Sequence, residues 1–154
     1  MSGFIAQPDR HTPQPIGGDA FWPAIELASV ARDQRIGGEV SPERLRAALV
    51  HAILNVNDQL ADWQARQQAA GYARLADVPA PQIAGQSRLI TLYQRAVACA
   101  VLAEIAERYR SFDASAQGHA RADDLAPNID EARRDLRWAI RDFLGRPRTT
   151  VELI

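Results

Sequence analysis

The chain has 154 residues, enough for one domain that folds without disulfides or bound metal. Its 47% hydrophobic and 24% charged residues are typical of a soluble globular protein. The net charge of −1 argues against a broad electrostatic attraction to nucleic acid or to an anionic membrane. All 18 basic residues are arginine, which is typical of a GC-rich genome and also suits packed subunit interfaces, where the guanidinium group makes bidentate contacts.

Cysteine use and hydropathy bear on the cellular compartment. Cys99 is the only cysteine, so no disulfide forms within the chain, and this favours a reducing compartment. It lies in the apolar run 96–102, where it is interpreted as a small core residue, with a reactive thiol as the alternative. No stretch approaches the roughly 18 apolar residues of a membrane span, and the N-terminus lacks a signal-peptide pattern. We therefore expect a cytoplasmic protein, unless a particle carries it elsewhere.

The first 37 residues divide into an arm and a short helix. Residues 1–20 contain three prolines and three glycines with few apolar residues, which predicts a flexible N-terminal arm. Phe21-Trp22-Pro23 then opens a short apolar-periodic segment that ends at Gly37-Gly38. This pattern predicts a short helix with Pro23 near its first turn.

The next helix has strong signals at both ends. Ser41-Pro42-Glu43 supplies a capping hydroxyl, a proline at the first helical position and an acid in the first turn. An amphipathic helix of about seven turns follows and ends at Gly71. Its apolar residues recur every three or four positions: Leu45, Leu49, Ile53, Val56, Leu60 and Trp63. The proline-containing segment from Leu75 to Gly85 is predicted to be a loop.

A third helix is predicted from a Ser87 cap to about Tyr109. Residues 96–106 are apolar on nearly every side, so this helix is expected to lie at the centre of the fold, packed on several neighbours. The following segment, 111–126, is rich in Ser, Ala, Gly and Asp, and is predicted to be a long surface loop.

The last helix ends at Gly145 and Pro147 and has an arginine-rich flank. Trp138 lies at the edge of its apolar stripe and is predicted to be a core anchor. The stripe contains Ile129, Ala132, Leu136, Ala139, Ile140 and Phe143. The flanks carry Arg133, Arg134, Arg137 and Arg141, with Asp135 and Asp142 between them. These charges predict a solvated or interface face, with phosphate contact as the alternative.

The six C-terminal residues, 149–154, alternate β-branched or apolar residues with polar ones and predict an extended strand. No other segment of the chain is predicted to be a strand. We therefore expect this tail to pair in trans, through the following residues: Thr150, Val151, Leu153 and Ile154.

Catalytic, metal and cofactor sites are not expected. The three histidines, His11, His51 and His119, are far apart in the sequence, and none has a second ligand at helical or hairpin spacing. Asp113 with the Asp123-Asp124 pair lacks the calcium-loop pattern. Ser115 with His119 lacks a glycine elbow and an oxyanion device.

Several strings resemble the phage head-completion protein family, often called gpL. They stand in the family's order and spacing from about Phe21 to the C-terminus, and the first 20 residues lie outside the resemblance. The strings are GYARLADVP (71–79), YQRAV (93–97), ERYRSFDASAQG (107–118) and DEARRDLRWAI (130–140), with RPR (146–148) beyond them.

The resemblance implies a structural protein of contractile-tailed phages. Such a protein attaches to the portal protein after DNA packaging, retains the DNA and offers a docking surface to a tail-completion or tail-terminator protein, with possible contact to the packaged DNA. It implies a cyclic ring, twelvefold like the portal, and a place in the virion neck after assembly in the host cytoplasm. No catalytic residue carries over, and neither a cofactor nor a membrane is implied.

We therefore predict an all-α fold: a small helix bundle of three to four main helices over residues 21–148, with a flexible N-terminal arm (1–20) and an extended C-terminal tail (149–154). A ring of identical subunits joins two different faces of one protein. The candidate contact residues are the four arginines of the last helix, Asp113 and His119 of the long loop, and the four tail residues named above.

Two other functions compete with this hypothesis. A DNA-binding packaging factor, similar to a small terminase subunit, predicts a positive stripe and salt-dependent DNA binding, and the near-neutral charge argues against it. A small hydrolytic enzyme using Asp123 or His119 requires a convergent polar cluster, which the sequence does not indicate.

Overall fold

The computed structural model describes residues 14–37, 40–112 and 129–148, with side chains up to residue 108 in the second range. Over these residues the fold is mostly helical, as predicted, with one small antiparallel hairpin that was not predicted. The α-helices are α1 (Leu27–Asp33), α2 (Pro42–Ala69), α3 (Arg88–Phe112) and α4 (Ile129–Phe143). A 3-10 turn covers Leu75–Asp77, and the hairpin consists of β1 (Gln82–Ile83) and β2 (Gln86–Ser87).

Helix α2 begins and ends where the sequence indicates. The Ser41 hydroxyl accepts a hydrogen bond from the Arg44 backbone N–H at 3.3 Å, and Pro42 is the first helical residue. This cap satisfies one of the backbone donors that the first turn leaves without a helical partner. At the other end Gly71 takes a φ of +98°, a left-handed conformation that a side chain disfavours.

Helix α3 is the central element, as predicted, because it packs along both α2 and α4 while those two touch each other only slightly. Tyr93, Val97 and Val101 of α3 are fully buried. Cys99 is only partly buried and packs against the core. Burial raises the pKa of its thiol, which disfavours the reactive thiolate.

The apolar character of α3 has a second consequence. By length and composition, residues Arg88–Arg108 are apolar enough to cross a membrane. The expectation that no stretch approaches a membrane span was therefore wrong for this helix. Its buried side chains face α2 and α4 in the bundle, so packing on two helices accounts for this composition.

The segment before α1 folds back on itself through backbone hydrogen bonds, and its Asp19 also accepts a hydrogen bond from Gln64 of α2. Ile16 and Ile25 exchange two backbone hydrogen bonds, of 2.8 and 2.7 Å, in an antiparallel bridge. The Asp19 carboxylate accepts hydrogen bonds from the backbone N–H groups of Phe21 and Trp22. Residues 16–20 thus contact the bundle although their composition predicted an arm, and residues 1–13 lie outside the described residues. The first helix begins at Leu27 and not near Pro23, because the bridge at Ile25 requires extended backbone.

An aromatic cluster joins this segment to the three long helices. Trp22 stacks on Tyr93 with ring centroids 4.6 Å apart, and Trp63 meets Phe143 edge-on at 4.8 Å. Phe21 packs edge-on against Trp22 at 5.0 Å. Such contacts add to the hydrophobic gain from burying the rings. The N-terminal segment is therefore part of the core.

Polar partners fix the orientation of this cluster. The Trp22 indole N–H donates to Gln64 Oε1 at 3.0 Å, and the Gln64 amide donates to Asp19 at 2.7 Å. The Tyr93 hydroxyl donates to Asn57 Oδ1 at 2.9 Å. Burial is the main cause that raises the pKa of Tyr93, so this phenol remains a neutral donor.

The segment between α2 and α3 differs from the predicted loop. Gln82 pairs with Ser87, and Ile83 pairs with Gln86. The turn between the strands places both Ala84 (φ +52°) and Gly85 (φ +77°) in the left-handed region, as tight hairpin turns require. The expectation that no strand exists outside the C-terminal tail was therefore wrong. Helix α3 starts directly after Ser87 as predicted, but the Ser87 hydroxyl is buried without a hydrogen-bond partner among the described residues, so it does not cap the helix.

Candidate protein interface

The four predicted interface arginines of α4 are all present on the described surface, but their environments differ. Arg133 pairs with Glu107 of α3 at 2.7 Å. Arg134 contacts Asp135 at 3.3 Å, and Arg141 donates from Nε to the Pro147 backbone oxygen at 2.8 Å. Arg137 is exposed and makes no hydrogen bond or ion pair with any described residue. Arg137 thus has the guanidinium group most available to a partner.

Trp138 lies on the outer side of α4, which overturns the prediction that it anchors the core. Its side chain is partly buried and is absent from the cluster of core residues. Two guanidinium groups cover the ring, that of Arg134 at 4.8 Å from the ring centroid and that of Arg148 at 5.0 Å. Tryptophan and arginine are enriched among the residues that dominate binding energy at protein interfaces. The group formed by these three residues is called the Trp138 cluster below.

The residues after α4 fold back onto this cluster. Arg148 makes a bidentate contact with Asp142, through Nε to Oδ1 at 3.0 Å and Nη2 to Oδ2 at 2.5 Å. Arg95 of α3 reaches the same carboxylate at 3.2 Å. The hydrogen bond from Arg148 is the main cause that holds the pKa of Asp142 below its usual value, and nearby arginines add to this effect. Residues 147 and 148 are therefore fixed on α4 where the C-terminal tail begins.

Helix α2 presents a second exposed face that the sequence reasoning did not select. Val50 and Leu54 are 37% and 56% exposed, one helical turn apart on the side away from α3. The exposed carboxylates of Asp58 and Asp62 follow on the next two turns, and neither makes an ion pair with a described residue. The signal was available in the sequence, because Val50 and Leu54 fall outside the apolar stripe of the helix. The term "α2 outer face" is used below for these four residues.

Two other side chains, Ile83 and His51, are exposed on the described surface. Ile83 of the hairpin is 52% exposed. His51 is exposed on α2 at the edge of the apolar stripe. The remaining predicted interface residues lie outside the described residues and stay predictions: Asp113, His119, Thr150, Val151, Leu153 and Ile154.

The described surface offers side chains suited to a protein interface. Within residues 14–37, 40–112 and 129–148, no group of three or more His, Cys, Asp or Glu side chains stands close enough to hold a metal ion. The buried Tyr93 and the half-buried Gln64 make structural hydrogen bonds. What the described surface provides instead is a stacked tryptophan, an unpaired arginine and two unpaired carboxylates on different helices.

Comparisons with known proteins agree with the resemblance seen in the sequence. The family model for the phage head completion protein (GPL) matches residues 16–154. The head completion/stabilization protein of Escherichia phage P2 is 40% identical over 148 residues, which cover 92% of this chain and 88% of that protein. No solved structure matches the chain.

The family match begins at Ile16, the residue that forms the backbone bridge with Ile25. It continues through every described helix. The family consists of structural proteins that complete the phage head, so the chain's role is associated with the virion and with other phage head and tail proteins. The chain belongs to the phage head completion protein (GPL) family.

Proposed function

We propose that this protein is a structural adaptor at the portal vertex. It binds the portal protein after DNA packaging, retains the packaged DNA and provides the surface to which a tail-completion or tail-terminator protein attaches. It catalyses no reaction. The observation that carries this proposal is the 40% identity to a head completion/stabilization protein across 92% of the chain.

The arrangement at the end of α4 supports an attachment role for the C-terminal tail. Arg148 is fastened to Asp142, and Arg141 holds the backbone of Pro147, so residues 149–154 start from a fixed point. A segment anchored at one end reaches a partner at a higher effective concentration than a free one. In an extended conformation Val151 and Leu153 would share one side of the backbone, as strand addition to a neighbouring subunit or to the portal requires.

The protein acts as a cyclic ring, twelvefold like the portal on which it assembles. In isolation it remains a monomer or associates weakly, because the helices form a bundle with their own core while individual surface contacts are small. On the portal, many contacts form together and offset the cost of ordering. Light scattering at micromolar concentration measures this directly, and a stable closed ring without portal would contradict it.

The decisive experiment adds purified protein to DNA-filled heads that lack it. We expect the full chain to protect the DNA from added nuclease and to allow tails to attach, measured as infectious titre. A variant lacking residues 149–154 should keep the melting temperature of the full chain but lose both activities. The Arg35→Asp variant, altered at an exposed residue two positions after α1, serves as the control and should behave like the full chain.

The possible outcomes distinguish the portal-vertex adaptor from a DNA-binding packaging factor. Failure of the full chain to stabilise filled heads would refute the portal-vertex role. If the protein instead binds free duplex DNA with a steep dependence on salt and acts before packaging, the packaging-factor hypothesis is correct. Normal infectious titre with the truncated protein would show that the tail has no attachment role.

A further inference from the structure

We propose that neighbouring copies of this chain join through the Trp138 cluster and Arg137 of one copy and the α2 outer face of the next. This inference rests on the proposed ring and identifies which two surfaces form its subunit contact. Its occupant is therefore a second copy of the same chain, oriented head to tail.

The α2 outer face has the composition of a contact that is covered in an assembly. Val50 and Leu54 are among the few large hydrophobic side chains exposed in the described part of the chain. Asp58 and Asp62 are the charged residues between Arg46 and Arg66, so this stretch carries two negative charges and no positive one. An apolar centre bordered by unpaired charges is typical of a protein-protein contact, in which the charges select the partner.

The segment that contains α4 carries the complementary charge. Residues 129–148 contain six arginines and four acidic residues, a net charge of +2. Asp142 is already engaged by Arg95 and Arg148, and Asp135 by Arg134. The exposed guanidinium of Arg137 has no such partner among the described residues. It lies next to Trp138 in the chain, and the exposed part of the Trp138 side chain is apolar surface on which Val50 and Leu54 of the next copy can pack.

The position of the two surfaces fits a closed ring. They belong to the two helices that flank α3, and each points away from the core that α3 shares with both. A contact between two different faces of the same protein repeats from copy to copy and closes into a ring when the rotation permits. A single face that met its own copy would instead stop at a dimer.

Crosslinking on filled heads tests which surfaces meet. One protein carries Leu54→Cys and another carries Arg137→Cys, each with Cys99→Ala so that no native thiol interferes. The two are mixed, assembled on filled heads that lack the protein, and treated with a short bismaleimide, so that a crosslink between the two kinds of chain is necessarily intermolecular. We expect crosslinked dimers from this mixture. The matched control replaces Leu54→Cys with Ile83→Cys, at a similarly exposed hydrophobic residue of the hairpin, and should give at least about tenfold less product.

Charge reversal provides an independent readout. The Asp58→Arg/Asp62→Arg protein and the Arg137→Asp protein should each lower the yield of nuclease-resistant heads by about tenfold or more, since like charges face each other at the contact. A single chain with all three substitutions should give at least about threefold more nuclease-resistant heads than either charge-reversed protein. Arg35→Asp changes the net charge as much as Arg137→Asp does and should leave the yield unchanged.

The outcomes distinguish this inference from the proposed function. If the protein stabilises heads but Leu54→Cys crosslinks to the portal, or no more strongly than Ile83→Cys does, the α2–α4 contact is wrong and the adaptor role stands. Reversed charges that have no effect, or that the triple substitution does not rescue, overturn the contact as well. If the unsubstituted protein does not join filled heads, the proposed function fails and this inference fails with it.

Discussion

The two tryptophans Trp22 and Trp138 should respond in opposite ways to the same substitution. Trp22 is 3% exposed and stacks on Tyr93. A buried aromatic ring removes about 150–250 Å² from water, which at about 25 cal/mol per Å² contributes roughly 4–6 kcal/mol. Loss of the indole hydrogen bond to Gln64 adds to the effect, while relaxation around the cavity reduces it. We expect Trp22→Ala to lower the free energy of unfolding by about 3–5 kcal/mol.

For Trp138 the corresponding loss is smaller. Its ring lies outside the core cluster and is held by Arg134 and Arg148, and a cation–π contact at an exposed site contributes about 0.5–1 kcal/mol. Trp138→Ala should therefore lower the free energy of unfolding by about 1–2 kcal/mol. In head assembly we expect Trp138→Ala to have the larger effect of the two substitutions, because Trp138 belongs to the proposed subunit contact. Trp138→Ala should reduce nuclease-resistant heads at a temperature where the protein remains folded.

Urea denaturation followed by circular dichroism measures both free energies on the same scale. Trp22→Phe is the graded control, since it keeps a stacked ring on Tyr93 and loses the indole N–H. Equal destabilisation by Trp22→Ala and Trp138→Ala would refute the distinction between a core and a surface tryptophan. Normal head assembly with Trp138→Ala would remove Trp138 from the contact while leaving the stability argument intact.

Three further predictions follow from local contacts. The pKa of Asp142 is lowered below its usual value near 3.8, so the contact with Arg148 is fully present above about pH 4 and is lost as pH falls through the lowered pKa. The NMR signal of the Trp138 indole should therefore move only below about pH 4, and with Asp142→Asn it should show no such transition. Ser41→Ala should cost about 1 kcal/mol in thermal unfolding, and Ser41→Asp should restore most of it, since Asp also caps; equal stability of all three proteins would contradict the cap. Because burial raises the pKa of the Cys99 thiol, a maleimide at neutral pH should react with it more slowly in the folded protein than in urea, and equal rates would show an accessible thiolate.

Local signals in the sequence predicted the structure correctly where it depends on hydrogen bonds and φ angles within one helical turn. The Ser41-Pro42 start of α2 and the glycine at its end depend on hydrogen bonds and φ angles within one turn. The end of α4 follows the same rule, with Gly145 at a φ of +65°. Residues 96–106 also predicted the central position of α3, because a helix that is apolar on nearly every side requires several neighbours.

Backbone pairings and side-chain contacts that helical periodicity does not indicate decided the rest. The composition of residues 16–20 predicts an arm, but Ile16 bridges to Ile25, whose side chain is in the core, and Asp19 accepts a hydrogen bond from Gln64 of α2. The hairpin after the 3-10 turn depends on two residues with positive φ in a segment whose prolines predict a loop.

Trp138 shows most clearly why the periodicity of a helix does not determine which of its residues are buried. The periodicity of a helix places a residue at an angle around the helix axis but does not specify which angles a neighbouring helix covers. The side of α4 that carries Leu136 and Phe143 is buried against the bundle, mainly against α3, whereas Trp138 lies on the outer side, where two arginines cover its ring. The sequence by itself determined which residues form α4, whereas only the packing of α4 on α3 decided that its tryptophan faces outward.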